Sequence, residues 1–132
     1  MPHLASVALL VHDYDEGIAY FTESLGFELL EDTHLSETKR WVRVAPRGAR
    51  ETSLLLARAA TDEQRAAVGR QGGGRVCFFL HTNDFESDYS RMKAHGVAFV
   101  ESPRDEEYGR VVVFEDLYGN RWDLVERISH EA

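Results

Sequence analysis

The chain has 132 residues, of which 43% are hydrophobic and 29% are charged, and its formal net charge at pH 7 is −8. These values are typical of one globular domain and exclude a disordered chain or a coiled coil. No apolar run approaches the roughly 20 residues that a membrane-spanning helix needs, and the acidic balance disfavours nucleic acid as a partner. With no basic segment ahead of the first apolar run, we expect a cytoplasmic protein that binds neither membrane nor nucleic acid.

The first half of the chain predicts one strand, one helix and three more strands. Leu4 to Val11 is an apolar run of strand length, and Asp13 and Glu16 in the next segment have the spacing of a capping box. Gly26 can end that helix in the left-handed conformation. The segments "FELLED", "KRWVRVA" and "ETSLLLAR" then read as strands.

The second half repeats this pattern about 70 residues later. The strand "RVCFFL" is followed by Asn83 and Glu86 at the cap positions and by Gly96 at the helix end. The strands "VAFVE", "RVVVFED" and "RWDLVER" follow, the last two joined by the turn "LYGN". Cys77 is predicted to be a small buried residue rather than a nucleophile.

A linker separates the two halves. Thr61 and Gln64 have capping-box spacing for a short helix, and three consecutive glycines follow it. The chain is therefore predicted to be a single domain, residues 1–132, made of a module at 3–60, a linker at 61–74 and a second module at 75–127. Two β-α-β-β-β units can close around a cavity, where we expect function to lie.

Two motifs within this repeat resemble a known superfamily. The stretch "YFTESLGFEL" and the late "D-x-x-GN-R-W-D-L-V-E" are similar to those of the vicinal oxygen chelate superfamily, which includes glyoxalases, bleomycin-resistance proteins and extradiol dioxygenases. The resemblance implies an α+β fold in which two βαβββ modules form a half-open barrel around a cavity, and it implies a homodimer. Leu117 stands where the family usually has proline.

The resemblance also implies where a metal would be held. Metal-dependent members have four ligand positions, and these fall on Ser6, Leu55, Val76 (or Arg75) and Asp123. Only the last of them carries a typical ligand side chain. We therefore expect no metal or other cofactor, and Arg75 can instead pair with the carboxylate of Asp123.

An alternative keeps the metal. His12, His81, Glu115 and Asp123 can in principle form a displaced site for a divalent ion, with lyase, isomerase or dioxygenase chemistry of the glyoxalase type. No two histidines have the H-x-x-x-H spacing. The sequence also contains no recognisable nucleophile with a paired base and no phosphate-binding loop. Whether the protein is an enzyme stays open at this point.

Strand alternation and aromatic residues beside charges indicate the candidate binding groups. If Asp123 points into the cavity, Arg121 does so too. Trp41 beside Arg43, and Tyr108 near Arg110, suit stacking on a planar or cationic ligand, although Trp41 equally suits core or dimer packing. The predicted ligand-binding residues are Arg75, Asp123, Arg121, Trp41, Arg43, Tyr108 and Arg110. The predicted ligand is a small molecule, cationic or aromatic.

Overall fold

The structure is a computed structural model that describes residues 1–128; residues 129–132 lie outside the description. The chain divides into two compact units, Met1–Gln71 and Gly72–Ala132. No helix in the described part is both long and apolar enough to cross a membrane.

The first unit is a four-stranded sheet with two short helices. Its elements are β1 (Ser6–Val11), α1 (Tyr14–Ala19, continuing as a π-helical turn over Tyr20–Ser24), β2 (Phe27–His34), β3 (Arg40–Pro46), β4 (Ser53–Arg58) and α2 (Asp62–Ala67). The strand order is β1-β4-β3-β2, with β1 parallel to β4 and the other pairs antiparallel.

The second unit repeats this arrangement with one addition. Its elements are β5 (Val76–His81), α3 (Phe85–Ala94), β6 (Ala98–Phe99), β7 (Arg104–Glu106), β8 (Gly109–Glu115) and β9 (Arg121–Arg127). The order β5-β9-β8-β6, with β5 parallel to β9, matches that of the first unit. Strand β5 begins 70 residues after β1 (76 − 6), so the predicted repeat is confirmed. Strand β7, which pairs with β8, was not predicted.

The helix caps agree with the sequence in one unit and differ by one residue in the other. Asp13 accepts a hydrogen bond from the Glu16 backbone N–H at 2.9 Å, as predicted. In the second unit Asp84 accepts from the Ser87 N–H at 3.2 Å, so the prediction of Asn83 as the cap is wrong. Asparagine and aspartate cap equally well, and the repeat alone did not reveal that the connection from β5 to α3 is one residue longer than that from β1 to α1.

Each unit buries the sheet face that packs on its helix. In the first, Phe21 of the π-helical turn is fully buried. In the second, Trp122 stacks on Phe78 at 4.6 Å and on Phe114 at 5.7 Å, and Tyr89 of α3 meets Phe99 at 4.7 Å. Because side chains alternate along a strand, the opposite face of each sheet presents a different set of residues.

The open edge of β1 is covered by a side chain. The Leu10 backbone N–H donates to Oε1 of Gln71 at 2.6 Å, and Nε2 of Gln71 donates to the Ala8 carbonyl at 3.0 Å. A side-chain amide thus occupies the place of a neighbouring strand and protects an edge that would otherwise be free to pair. It also holds the chain that follows α2 against β1.

Candidate functional site

A pocket of about 730 Å³ lies in the first unit. Its floor comes from three adjacent strands, β1, β4 and β3. The floor residues are Ala8, Leu10, Leu55, Ala57 and Trp41. The register pairs Ala8 with Leu55 and Leu10 with Ala57, so a small side chain lies beside a large one in each pair. Trp41 remains 38% exposed, which leaves an indole ring accessible at an apolar surface.

The helix α2 and the segment before it form another part of the pocket wall. Thr61 caps this helix by accepting the Gln64 N–H at 3.1 Å, as predicted, and Oε1 of Gln64 accepts the Ala60 N–H at 2.7 Å. Ala60 and Gln64 both line the pocket. The predicted linker therefore contributes directly to the candidate site.

A charged group at the start of β3 forms a further part of the wall. Arg40 contacts Asp32 at 2.7 Å and Asp15 at 2.9 Å, and its guanidinium lies 5.2 Å from the centre of the Tyr14 ring. The hydrogen bond from Arg40 lowers the pKa of the Asp32 carboxyl below its ordinary value. Arg40 and Tyr14 are thus fixed before any ligand arrives.

A row of polar side chains crosses the same sheet. The hydroxyls of Ser6 and Ser53 lie 2.9 Å apart, Nη1 of Arg43 donates to Oγ of Ser53 at 3.3 Å, and Nε of Arg43 contacts Glu31 at 2.9 Å. One residue of this row comes from each of β1, β4, β3 and β2. Arg43, a predicted ligand-binding residue, is therefore already engaged by Glu31 and Ser53.

The second unit buries the carboxylate of Asp116, which was not among the predicted site residues. Its oxygens accept the backbone N–H groups of residues 118–120 at 3.0 to 3.1 Å, the side-chain amide of Asn120 at 3.1 Å and the indole N–H of Trp122 at 3.0 Å. These contacts shape the turn between β8 and β9 and fix the face on which Trp122 lies. Alternation then places Asp123 on the opposite face.

Asp123 itself is 9% exposed, and its Oδ1 has no hydrogen-bond partner among residues 1–128. Its neighbours in the register are Phe79 of β5, which is 57% exposed, and Val113 of β8. Burial raises the pKa of the Asp123 carboxyl; the charge of Arg104 opposes this rise, and that of Glu101 adds to it. The site can therefore offer a hydrogen bond or a proton to an approaching group.

Neither Arg75, which was expected to pair with Asp123, nor Arg121, which was expected on the same face of β9, binds its carboxylate. Arg75 donates to the Val76 carbonyl at 3.0 Å, and Arg121 contacts Glu115 at 3.5 Å. The cation that acts on Asp123 is Arg104, which also binds Glu101 and two other groups of its own hairpin. Arg104 was not among the predicted ligand-binding residues, because the strand to which it belongs, β7, was not predicted.

Tyr108 and Arg110 lie at the hairpin formed by β7 and β8. Tyr108 is 41% exposed. Arg110 contacts Glu86 at 2.5 Å and lies 5.1 Å from the centre of the Phe85 ring, so it packs against α3. This contact gives Arg110 a structural role within the second unit; a ligand role for either residue stays a prediction.

The side chains at the positions that the resemblance assigns to a metal do not fit a divalent ion. Ser6 is bonded to Ser53, Leu55 forms part of the apolar floor, and Val76 carries no donor atom. Asp123 supplies one carboxylate, which is too few ligands.

The residues of the alternative metal site, His12, His81, Glu115 and Asp123, do not come together as a set of ligands. Glu115 pairs with Arg121 and His81 with Val125, so they lie four positions apart along β9, or about 13 Å at the usual rise of a strand. His12 is an exposed residue of the first unit. No group of three or more His, Cys, Asp or Glu able to hold a metal occurs in the described part of the chain.

The comparisons with known proteins agree with this architecture. The family model described as "Glyoxalase/Bleomycin resistance protein/Dioxygenase superfamily" matches residues 3–124. An uncharacterized protein of Shewanella frigidimarina (strain NCIMB 400) is 52% identical over 124 residues, covering 93% of this chain and 92% of that protein.

Two solved structures extend the likeness. That of UcmS2 has a TM-score of 0.82 at 29% identity, covering 96% of this chain and 98% of the other. That of TnmS3, described as an antibiotic binding protein from Streptomyces sp. CB03234, has a TM-score of 0.79 at 29% identity, covering 97% and 98%. The predicted α+β fold is confirmed.

Proposed function

Because the chain belongs to the Glyoxalase/Bleomycin resistance protein/Dioxygenase superfamily, we propose that it binds a small aromatic molecule in the pocket of its first unit. The observation that carries the proposal is the apolar floor with the half-exposed ring of Trp41. The volume of about 730 Å³ falls within the range of about 300 to 1,000 Å³ that is usual for small-molecule sites. The likeness to TnmS3 supports a binding role.

The floor explains why an aromatic ligand suits this pocket. Ala8 and Ala57 leave a shallow surface between the larger Leu10 and Leu55, and a planar ring can lie on it without displacing side chains. Contact with the indole of Trp41 adds about 0.5 to 1.5 kcal/mol beyond the apolar area that the ligand removes from water. Such binding needs no metal, and we propose that this protein uses none.

Titration calorimetry with a panel of bicyclic and tricyclic aromatic compounds tests the proposal. Trp41→Ala is expected to weaken the tightest compound by about tenfold or more, because it removes the ring contact and the area around it. Leu29→Ala is the matched control, since Leu29 is 41% exposed, belongs to the same sheet and does not line the pocket. Equal losses in both variants, or no binding by the wild type, would defeat the proposal.

A second candidate function rests on the unpartnered oxygen of Asp123. A buried carboxylate with a free acceptor atom suits a cationic group of a ligand better than the divalent ion of a glyoxalase-type enzyme, which needs more ligands than this one. Elemental analysis of purified protein separates the two readings. One ion per chain, lost in Asp123→Ala, would favour the enzyme; we expect no stoichiometric metal.

We also propose that the protein is a homodimer. Each unit exposes large apolar side chains on its strands, among them Val7 at 40% and Phe79 at 57%, and a two-fold partner would cover such positions. Light scattering should give about 30 kDa, twice the 15.0 kDa of one chain. A mass of one chain at micromolar concentration would defeat this part of the proposal.

A further inference from the structure

The wall of the first-unit pocket has one sign of charge. Among residues 1–128, four basic residues line it, and none of the lining residues is Asp or Glu. The four are Lys39, Arg40, Arg58 and Arg65. This local excess of positive charge contrasts with the net charge of −8 on the whole chain.

Two of these four cations are neutralised by neighbours. Arg40 is held by Asp15 and Asp32, and Arg65 contacts Asp62 at 2.7 Å. Lys39 and Arg58 are exposed, and neither side chain has a hydrogen-bond or ion-pair partner in the part of the chain that the structure describes. The carboxylates of Asp15, Asp32 and Asp62 are therefore bound to Arg40 and Arg65, and the charges of Lys39 and Arg58 remain.

The backbone of both Lys39 and Arg58 is held in an ordered conformation. The carbonyl of Lys39 accepts the N–H groups of Leu35 at 2.8 Å and of Ser36 at 3.1 Å, and Oγ of Ser36 accepts the Lys39 N–H at 3.1 Å. Arg58 ends β4 in register with Val11. Their positions are thus set by a closed turn and by a strand, not by a loose loop.

We propose that the ligand of this pocket is an aromatic acid: a planar ring that carries a carboxylate, sulfonate or phenolate recognised by Lys39 and Arg58. The inference rests on the proposed function and adds the charge of the ligand. It keeps the aromatic ligand that the sequence predicted and reverses the charge of the cationic one. The Debye length is about 8 Å at physiological ionic strength, so salt screens the charges of acidic residues that lie farther away than this. The cations of the wall, in contrast, lie at the site.

Three naphthalenes of matched size test the sign of the charge. Calorimetry at pH 7 and low salt compares 2-naphthoate, 2-naphthamide and 2-naphthylmethylammonium. Wild type is expected to bind the carboxylate about tenfold more tightly than the amide, as for charge-assisted hydrogen bonds that are partly open to solvent, and the ammonium least tightly. The preference should shrink as salt is raised.

Paired variants test the assignment to these two residues. The double variant Lys39→Gln, Arg58→Gln should lose the preference for the carboxylate while it still binds the amide. Arg50→Gln is the control, because Arg50 is an exposed basic residue of the same unit that does not line the pocket. Thermal melts establish that each variant is folded, and Arg58→Lys in the Lys39→Gln background should restore part of the preference.

The outcomes separate this inference from the function on which it rests. If none of the three naphthalenes binds while other compounds of the aromatic panel do, the anionic ligand is overturned; if no compound of the panel binds, the proposed function fails. Equal affinity for all three would leave the aromatic pocket standing and overturn the anionic ligand. A carboxylate preference that survives the double variant would overturn the role of Lys39 and Arg58.

Discussion

The β8–β9 hairpin buries two carboxylates that differ in what surrounds them. Asp116 is 5% exposed and accepts hydrogen bonds from three backbone N–H groups, the Asn120 amide and the Trp122 indole. Asp123, seven residues later, is 9% exposed, and its Oδ1 accepts none from the described residues. Two residues of the same type, equally buried in one hairpin, therefore have opposite consequences.

The comparison separates a carboxylate that holds the fold from one that weakens it. A buried acceptor with several donors stabilises the segment that supplies them, whereas a buried acceptor without donors keeps its full cost of desolvation. A protein retains such a cost where the group does something else. The contrast makes Asp116 a structural residue and Asp123 a candidate functional one, and each of the following experiments bears on that distinction.

The largest effect is expected from Asp116→Ala. The substitution removes an acceptor from five donors, of which three are backbone groups in the turn, and should lower the free energy of unfolding by about 3 to 5 kcal/mol. Urea denaturation followed by circular dichroism measures it. Asp123→Ala, which removes a carboxylate of similar burial, is the control. A loss below about 1 kcal/mol for Asp116→Ala would mean that water replaces the carboxylate easily.

A smaller effect of opposite sign is expected from Asp123→Asn. The amide keeps the shape of the side chain and carries no charge to desolvate, so the variant should be more stable than wild type at pH 7 by about 1 kcal/mol.

The pH dependence follows from the raised pKa of the Asp123 carboxyl. Below its ordinary value of 3.8 the wild-type carboxyl is neutral, and the contribution of the neutral form to stability is fully present. This contribution is lost as the pH rises through the raised pKa. The advantage of Asp123→Asn should therefore be absent near pH 3 and grow to its full size by pH 7 in thermal melts. A difference that does not change with pH would contradict the burial of a charged carboxylate.

The smallest effect is expected from Ser6→Ala in the first unit. Ser53 keeps its contacts with Arg43 and the Ala5 carbonyl when the Ser6 hydroxyl is removed, so no buried group is left without a partner. The free energy of unfolding should fall by about 0.5 kcal/mol, the lower end for one hydrogen bond. Urea denaturation measures this change in the free energy of unfolding, with Thr52→Ala as the control. A loss above about 2 kcal/mol would show that the polar row acts as one cooperative unit.

Most of the secondary structure was predictable, because it depends on residues close in sequence. The strand β9 begins and ends where "RWDLVER" predicts, and Thr61 and Gln64 form the expected cap. The prediction was wrong where two local readings were equally good, as with Asn83 and Asp84, and it was incomplete at β7. That strand is all charged, "RDE", and has no apolar alternation by which to recognise it.

The candidate site was only partly predictable. Trp41, a tryptophan beside basic residues in the sequence, lines the pocket of the first unit, and its contact with a ligand stays a prediction. Arg43 and Arg110 were chosen by the same rule, yet each binds a carboxylate far away in the chain, Glu31 and Glu86 respectively. Basic residues close in sequence thus gave no indication of which of them stay free.

The sequence by itself determined the repeat, the superfamily and the helix ends other than the start of α3, since these follow from apolar period, capping residues and short motifs. The tertiary structure alone decided the state of each charge. It placed Lys39 and Arg58 in a pocket wall without carboxylates, gave Asp116 its donors, and left Oδ1 of Asp123 with none in the described chain. The physical reason is that pairing and desolvation depend on distances between strands, and a linear pattern does not contain those distances.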